Sequence, residues 1–160
     1  MEKIVKKAGY TLSQALEIFN RTKILTPFLV GYKENNSEVK INSKDIILEL
    51  SIPKVVSEYE RNSKNLKSAC VVFPAEIAEI NGVRISSLII MVQNYKTNEH
   101  LVISQPYKFI NNKIELSEFE LFDYCPQLEP KLPILEANFL KGILDYEGAE
   151  DLWSKRFKAS

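Results

Sequence analysis

Hydrophobic residues recur with helical spacing at both ends of the chain and with strand-like spacing in much of the middle. In "TLSQALEIFNRT" the leucines and the phenylalanine fall on one helical face, and Thr11 and Gln14 have the spacing of a capping box. This pattern predicts a helix over residues 12–21. Near the other end, "PILEANFLKGILDY" predicts a helix with Pro133 in its first turn, and "GAEDLWSKRF" predicts a last short helix.

The segments that follow the first helix contain shorter apolar runs. "ILTPFLVGYKENNSEVKI" predicts two strands joined by a polar turn at residues 34–37. "NSKDIILELSIPKVVSEYERNSKNLK" allows two interpretations, because Pro53 would remove a hydrogen bond from a continuous helix. Either one kinked helix covers residues 44–64, or a strand over 45–50 precedes a helix that begins at Pro53.

From Ala69 onward the spacing is that of strands. "ACVVF" is apolar throughout, and "EINGVRI" places Asn81-Gly82 between apolar residues, as a two-residue hairpin turn requires. Pro74 cannot donate to a strand ladder, so it predicts a bulge in the incoming strand. The outgoing strand is expected over residues 83–93.

A return strand over residues 101–107 and a turn at Asn111-Asn112 complete a predicted meander of four strands. Because helices and strands cluster separately, the sequence predicts an α+β fold. We expect an antiparallel sheet of about five to six strands, a hairpin plus the meander, packed with N-terminal, middle and C-terminal helices. A chain of 160 residues without repeats or linkers is expected to form one domain over 1–160.

The central hairpin, "SSLIIMVQNYKTNEHLVISQPY", contains the longest apolar run and the only histidine. A three-residue loop at 96–98, with Asn98 in the left-handed conformation, predicts that Gln93 lies opposite Leu101 and Met91 opposite Ile103. His100 then lies just past the turn, either solvated or weakly paired with a carboxylate. We therefore expect His100 to be dispensable.

Both faces of this hairpin are largely apolar, so each face needs a cover. In one interpretation the N-terminal and C-terminal helices cover one face and the middle helix covers the other. In the alternative, a second copy of the chain covers part of one face, as in a two-fold homodimer.

Charge and composition narrow the classes of partner. Twenty-one basic residues balance twenty-one acidic ones, so we expect no nucleic-acid partner. No stretch approaches the ~20 apolar residues of a membrane span and no signal peptide is evident, so the expected location is the cytoplasm, without a membrane partner. The excess of lysine over arginine, with many asparagines, is typical of an AT-rich bacterial genome.

Few residues are candidates for chemistry. Cys70 and Cys125 form no ligand cluster with the one histidine, so we expect no metal site. Cys70 lies in an apolar strand and is expected to be inert, whereas Cys125, before a proline, is expected to be more exposed. No phosphate loop, nucleotide fingerprint or hydrolase motif occurs, so the sequence supports neither a cofactor nor an enzyme. We assign no catalytic residue.

One segment has a biased charge. "IELSEFELFDYCPQLE", residues 114–129, contains five acidic residues and no basic one, and its apolar positions change parity between Leu116 and Phe119, as at a bulge or strand end. We call these residues the acidic strip. It is either a solvated face or a docking surface for a basic protein. The docking interpretation uses Glu115, Glu118, Phe119, Glu120, Phe122, Asp123 and Tyr124.

The leading hypothesis from the sequence is a non-enzymatic, cytoplasmic bacterial protein that binds and occludes a protein partner, as immunity proteins and antitoxins do. The alternative is a small-molecule-binding protein or enzyme with a pocket between sheet and helices. The polar groups of that pocket would be Gln93, His100, Gln105 and Tyr107. A deep pocket in which these side chains converge would favour the alternative.

Overall fold

The structure is a computed structural model that describes residues 1–42, 48–78 and 82–153. Its helices are α1 (Glu2–Thr22), α2 (Leu48–Arg61), α3 (Leu132–Leu144) and α4 (Ala149–Trp153), and a 3-10 helix covers Pro126–Lys131. Its strands are β1 (Phe28–Tyr32), β2 (Glu38–Asn42), β3 (Ser68–Ala78), β4 (Arg84–Asn94), β5 (Glu99–Ile110), β6 (Lys113–Leu116) and β7 (Glu120–Tyr124). The fold is α+β, as predicted.

All strand pairs in the sheet are antiparallel, and six strands follow the order β2-β1-β3-β4-β5-β6. The seventh strand, β7, pairs with β5. β6 pairs with the end of β5 and β7 pairs with its beginning, so these two short strands share one side of β5. The sequence predicted the first hairpin and the four-strand meander but missed β7.

α1 is 21 residues long and begins at Glu2, so the predicted start at residue 12 is wrong. The apolar stripe continues towards the N-terminus, and packing of such a stripe stabilises a helix more than capping does. Thr11, the predicted cap, is fully buried within the helix. The other buried residues of the additional turns are Ile4, Val5, Ala8 and Gly9.

β3 and β4 pair without interruption from Ser68↔Asn94 to Ala78↔Arg84, so the predicted bulge at Pro74 is wrong. β1 pairs with β3 only as far as Val72. Pro74 therefore lies where one side of β3 has no neighbouring strand among the described residues, and a proline is tolerated at such an edge.

The turns of the meander use left-handed residues as the sequence predicted. Gly82 has a φ of 73° in the β3–β4 turn, and Asn81 lies outside the described residues. Asn111 and Asn112 have φ values of 51° and 60°, which match the two-residue turn between β5 and β6.

The predicted register between β4 and β5 is wrong by one residue. Asn94 pairs with Glu99, so the loop has the four residues 95–98, and Gln93 lies opposite His100 instead of Leu101. A shift of one residue moves every side chain of a strand to the other face. Asn98 keeps the predicted left-handed conformation, with a φ of 54°.

α2 contains Pro53 in its interior, so the interpretation in which a helix begins at Pro53 is wrong. The predicted strand over 45–50 is also wrong where it overlaps the helix, because residues 48–50 are helical. The rest of that prediction, residues 45–47, and the proposed start of a kinked helix at Lys44 lie outside the described residues.

The C-terminal helices match their predictions in place and type. α3 begins at Leu132 with Pro133 in its first turn, where a missing N–H costs no helical hydrogen bond. α4 ends its described part at Trp153, and residues 154–157 of the predicted helix lie outside the described residues. The Trp153 Nε1–H donates to Ser13 Oγ over 3.2 Å, which fastens α4 to α1.

One face of the sheet, which we call the closed face, packs against α1, α3 and α4 and forms the larger core. α2 packs on the opposite face, which we call the open face, over β1 and β3. On β4 and β5 the open face is only partly covered, because Met91, Gln93 and Val102 are half-buried. The arrangement of helices agrees with the expected cover by helices from both sides.

α1 and α3 pack closely because glycines lie at their contact. A Cβ at Gly142 would lie 1.8 Å from the Lys6 carbonyl oxygen, and one at Gly9 would lie 2.1 Å from the Phe139 carbonyl oxygen. Any side chain at either position would force the helices apart. The closed face therefore depends on these two glycines.

Candidate functional site

The outer edge of β7 is an edge of the sheet. Among the described strands β7 pairs with β5 alone. Asp123 and Leu121 pair with consecutive residues of β5, so Phe122 between them is an extra residue that forms a β-bulge. Phe122 is 61% exposed. The edge thus presents backbone groups and one large apolar side chain to another molecule.

The carboxylates of the acidic strip surround this bulge unequally. Glu118 and Glu120 are exposed, and the Asp123 side chain is 63% exposed. Glu115 is half-buried and lies opposite Lys108 in the β5–β6 pair, so a neighbouring cation balances its charge. Near the bulge the exposed negative charge therefore belongs to Glu118, Glu120 and Asp123, while Glu129, also exposed, lies in the 3-10 helix.

The aromatic residues of the strip do not act alike. Phe119 packs edge-on against Phe139 of α3, with ring centroids 5.0 Å apart, and Tyr124 also packs against the core of the closed face. Both therefore support β7 from inside. Of the three predicted anchors, Phe122 is the one that the structure places in solvent.

His100 lies next to this edge. Its Nε2 is 3.6 Å from Asp123 Oδ2, and its side chain is 41% exposed. The sequence predicted a weak pairing with a carboxylate but could not name Asp123, because β7 was missing from the predicted sheet. Glu99, the carboxylate next to it in sequence, instead contacts Thr97 and Lys131.

Neither cysteine is placed to act as a nucleophile with His100. Cys70 is fully buried in the core of the closed face, and burial raises the pKa of its thiol to about 12. Cys125 is 5% exposed, so the expectation that it would be exposed is wrong. The Cys125 N–H donates to the His100 carbonyl oxygen over 3.1 Å, which ties the end of β7 to β5 and keeps this thiol inside.

A groove of about 440 Å³ runs along the open face between α2 and β7. Met91 and Val102 form its apolar floor, and Gln93 and His100 lie side by side on neighbouring strands. The Tyr95 O–H donates to the Tyr59 carbonyl oxygen over 2.5 Å at the α2 side. Burial raises the pKa of both Tyr59 and Tyr95, so their phenols stay neutral hydrogen-bonding groups at physiological pH.

The structure brings together only two of the four predicted ligand-binding residues. Gln93 and His100 line the groove, whereas Gln105 and Tyr107 lie on the closed face. Gln105 is fully buried and donates to the Pro106 and Ser117 carbonyl oxygens over 3.0 and 2.9 Å. The bond to Ser117 fixes the connection between β6 and β7 to β5.

Sequence reasoning missed the other residues of the groove. Tyr59 is 4% exposed in α2, and Met91 is half-buried in β4, so neither residue stands out in the sequence as part of a groove. Asp123 was assigned to the acidic strip without its histidine partner. No local alternation could reveal this pairing, because the bulge at Phe122 breaks the pattern of β7, so that Leu121 and Tyr124 turn inward and Asp123 turns outward.

Two absences concern only the part of the chain that the structure describes. No three histidine, cysteine, aspartate or glutamate side chains lie together there as a metal site would require. None of the described helices has the length and apolar character needed to cross a membrane.

The fold and this edge define an α+β protein with a seven-stranded antiparallel sheet and one acidic, partly apolar sheet edge. A scan against protein-family models finds no match. Searches of the curated proteins and of the solved structures find no significant match either.

Proposed function

We propose that the chain is a non-catalytic binding protein that docks a basic, extended segment of a partner protein along the outer edge of β7. The observation that carries the proposal is Phe122, which is 61% exposed in a bulge between the exposed carboxylates of Glu120 and Asp123. Binding energy in protein interfaces concentrates in a few large side chains, often aromatic ones, and charges around them set the choice of partner.

The edge geometry favours an extended partner segment. A free strand edge can pair its backbone groups with an added strand, while pockets and side chains select the sequence of that strand. The carboxylates of Glu118, Glu120 and Asp123 repel another acidic edge and attract lysine or arginine. The same charges therefore disfavour pairing of β7 with β7 of a second copy.

Such a protein acts by covering a surface of its partner. In this proposal it works in the bacterial cytoplasm, as an immunity protein or antitoxin does, and needs no catalytic group of its own. Small rigid elements suffice for this role, and β7 is held from inside by Phe119 and Tyr124.

The experiment that tests this function uses immobilised protein to capture partners from a lysate of the source cells. Three baits are compared: wild type, Phe122→Ala, and Ile134→Ala. Ile134 is a matched control, because it is 50% exposed and belongs to α3 instead of β7. We expect a protein whose retention falls with Phe122→Ala and not with Ile134→Ala. Equal retention of every captured protein on the three baits would refute the proposal.

A second candidate function rests on the groove of the open face. Its apolar floor, with Gln93 and His100 side by side and the carboxylates of Glu60 and Asp123 in its lining, fits a small amphipathic cation. His100 is the only histidine, so its ring NMR signals report on this groove without ambiguity. A screen of small aromatic amines should shift those signals in wild type and less in Gln93→Ala. Unmoved signals throughout would remove this candidate.

A further inference from the structure

One end of the molecule collects exposed apolar side chains from three separate connections. The β3–β4 turn and the β5–β6 turn lie at the same end of the sheet, because β4 and β5 are antiparallel. The C-terminus of α1 lies there as well. The exposed side chains are Ile24 (59%), Val83 (58%), Phe109 (42%) and Ile110 (43%), and we call this set the apolar end.

Contacts between α1 and the β5–β6 turn hold this end together. The Lys23 ammonium lies 5.0 Å from the centre of the Phe109 ring and also donates to the Asn112 carbonyl oxygen. The Ile114 N–H donates to Asn20 Oδ1 over 3.2 Å. Ile24 directly follows Lys23 and is thereby placed near the end of β5, which carries Phe109.

Each of the three connections also carries cations next to its apolar residue. Lys23 precedes Ile24, Arg84 follows Val83, and Lys108 and Lys113 bracket the β5–β6 turn. Two of these cations have carboxylate neighbours: Arg84 pairs with Glu76 at 3.2 Å, and Lys108 lies opposite Glu115. Arg21 in the last turn of α1 adds another cation.

We propose that the apolar end is a docking surface for an anionic lipid bilayer. Apolar side chains at loop tips enter the boundary between headgroups and acyl chains, while adjacent lysine and arginine side chains contact lipid phosphates. The repeated pairing of an apolar residue with a cation, on three connections distant in sequence, matches this chemistry. The inference is independent of the β7 edge.

A lipid surface explains this end better than a protein partner does. Ile24 and Val83 lie in two separate connections, and Phe109 and Ile110 lie side by side at the end of β5. Several weak contacts with apolar and charged groups suit a fluid surface, which needs no fixed complementary shape. The sequence led us to expect no membrane partner, because no stretch could span a bilayer. We depart from that expectation here, since contact with a bilayer surface requires no spanning segment.

The test is co-sedimentation with vesicles of phosphatidylcholine alone and of phosphatidylcholine mixed with an equal amount of phosphatidylserine. Wild type should bind the mixed vesicles and bind the neutral ones much less. The triple variant Ile24→Ser, Val83→Ser, Ile110→Ser should lower partitioning onto mixed vesicles by about tenfold or more, because it removes the inserted apolar groups. These residues are exposed, so the fold should tolerate the changes.

Two further variants separate the effect of the apolar end from that of other exposed apolar residues and from that of charge. Ile134→Ser with Leu144→Ser changes two apolar residues of α3 that are 50% and 67% exposed, and it should bind like wild type. Arg21→Glu with Lys113→Glu should abolish the preference for phosphatidylserine. Failure of wild type to bind mixed vesicles would overturn the proposal. Self-association of wild type that the triple variant abolishes, measured by sedimentation velocity without vesicles, would instead make this end a protein interface and would also overturn it.

Discussion

The closed and open faces of the sheet receive alternate residues of the same two strands, β4 and β5, yet they differ in how far helices cover them. On the closed face Ile90, Leu101 and Ile103 are at most 1% exposed. On the open face Met91 and Val102 are half-buried and border a groove. α1 lies over β3 and β4 and shares one core with α3 and the first set, whereas α2 is displaced towards β1 and β3.

This difference shows how one pair of strands can serve stability and binding together. Alternation sends neighbouring residues to opposite faces, so a core residue and a groove residue can be adjacent in sequence. A shift of one residue in register would exchange the two roles. Substitutions at adjacent positions of one strand therefore compare the two faces of the sheet in the same stretch of backbone.

The largest effect is expected where the two faces can be compared directly. Ile90→Ala removes a fully buried side chain and should lower the free energy of unfolding by about 2 to 5 kcal/mol. Met91→Ala, one residue away, should lower it by about 1 kcal/mol or less, because part of its surface is already in water. Urea denaturation measures both. Equal losses would mean that both faces are packed to the same degree.

The helix contact behind the closed face should give the next largest effect. Gly142→Ala would place a Cβ 1.8 Å from the Lys6 carbonyl oxygen, so α1 and α3 must separate, at about 1 to 3 kcal/mol. At an unconstrained helix position the same change is favourable by about 0.5 to 1 kcal/mol. Glu136→Ala, at an exposed site of α3, is the control and should change stability little. A stabilised Gly142→Ala protein would contradict the close packing of the two helices.

The smallest effect on stability is expected at the open face near β7. His100→Ala should lower the free energy of unfolding by less than about 0.5 kcal/mol, because the imidazole is 41% exposed and its distance to Asp123 is 3.6 Å. Thermal unfolding of wild type, His100→Ala and Asp123→Asn measures this. A loss above about 1 kcal/mol would show that the His100–Asp123 pair supports the fold.

The sequence predicted the class of the fold and most of its elements, because turn residues and apolar spacing agree there. The left-handed residues Gly82, Asn98, Asn111 and Asn112 all occur in turns that were expected. The register of β4 and β5 was not predictable in the same way. Asn98 is compatible with a loop of three or of four residues. Apolar residues occupy both odd and even positions of β5, so the sequence did not show which of them face the core.

The candidate site was predicted only in part, for a related reason. β7 has five residues, and it pairs with β5 beyond the intervening β6. Its carboxylates were identified from composition, but the inward packing of Phe119 and Tyr124 depends on α3 and on the closed face. Contacts of this kind between distant segments leave no local signal. The groove was missed for the same reason, since α2, β4, β5 and β7 each contribute to it.

The most direct test of the account is the association rate of the captured partner across a series of salt concentrations. Glu118→Lys with Glu120→Lys is compared with Glu147→Lys and Glu150→Lys, a control that changes the same charge at exposed positions near α4. Exposed charges act mainly on the encounter rate, so the edge variant should associate about tenfold or more slowly at low salt and show a flatter salt dependence. The control should stay close to wild type, and both should keep the melting temperature. Equal rates for the two double variants would contradict the claim that the β7 edge binds the partner.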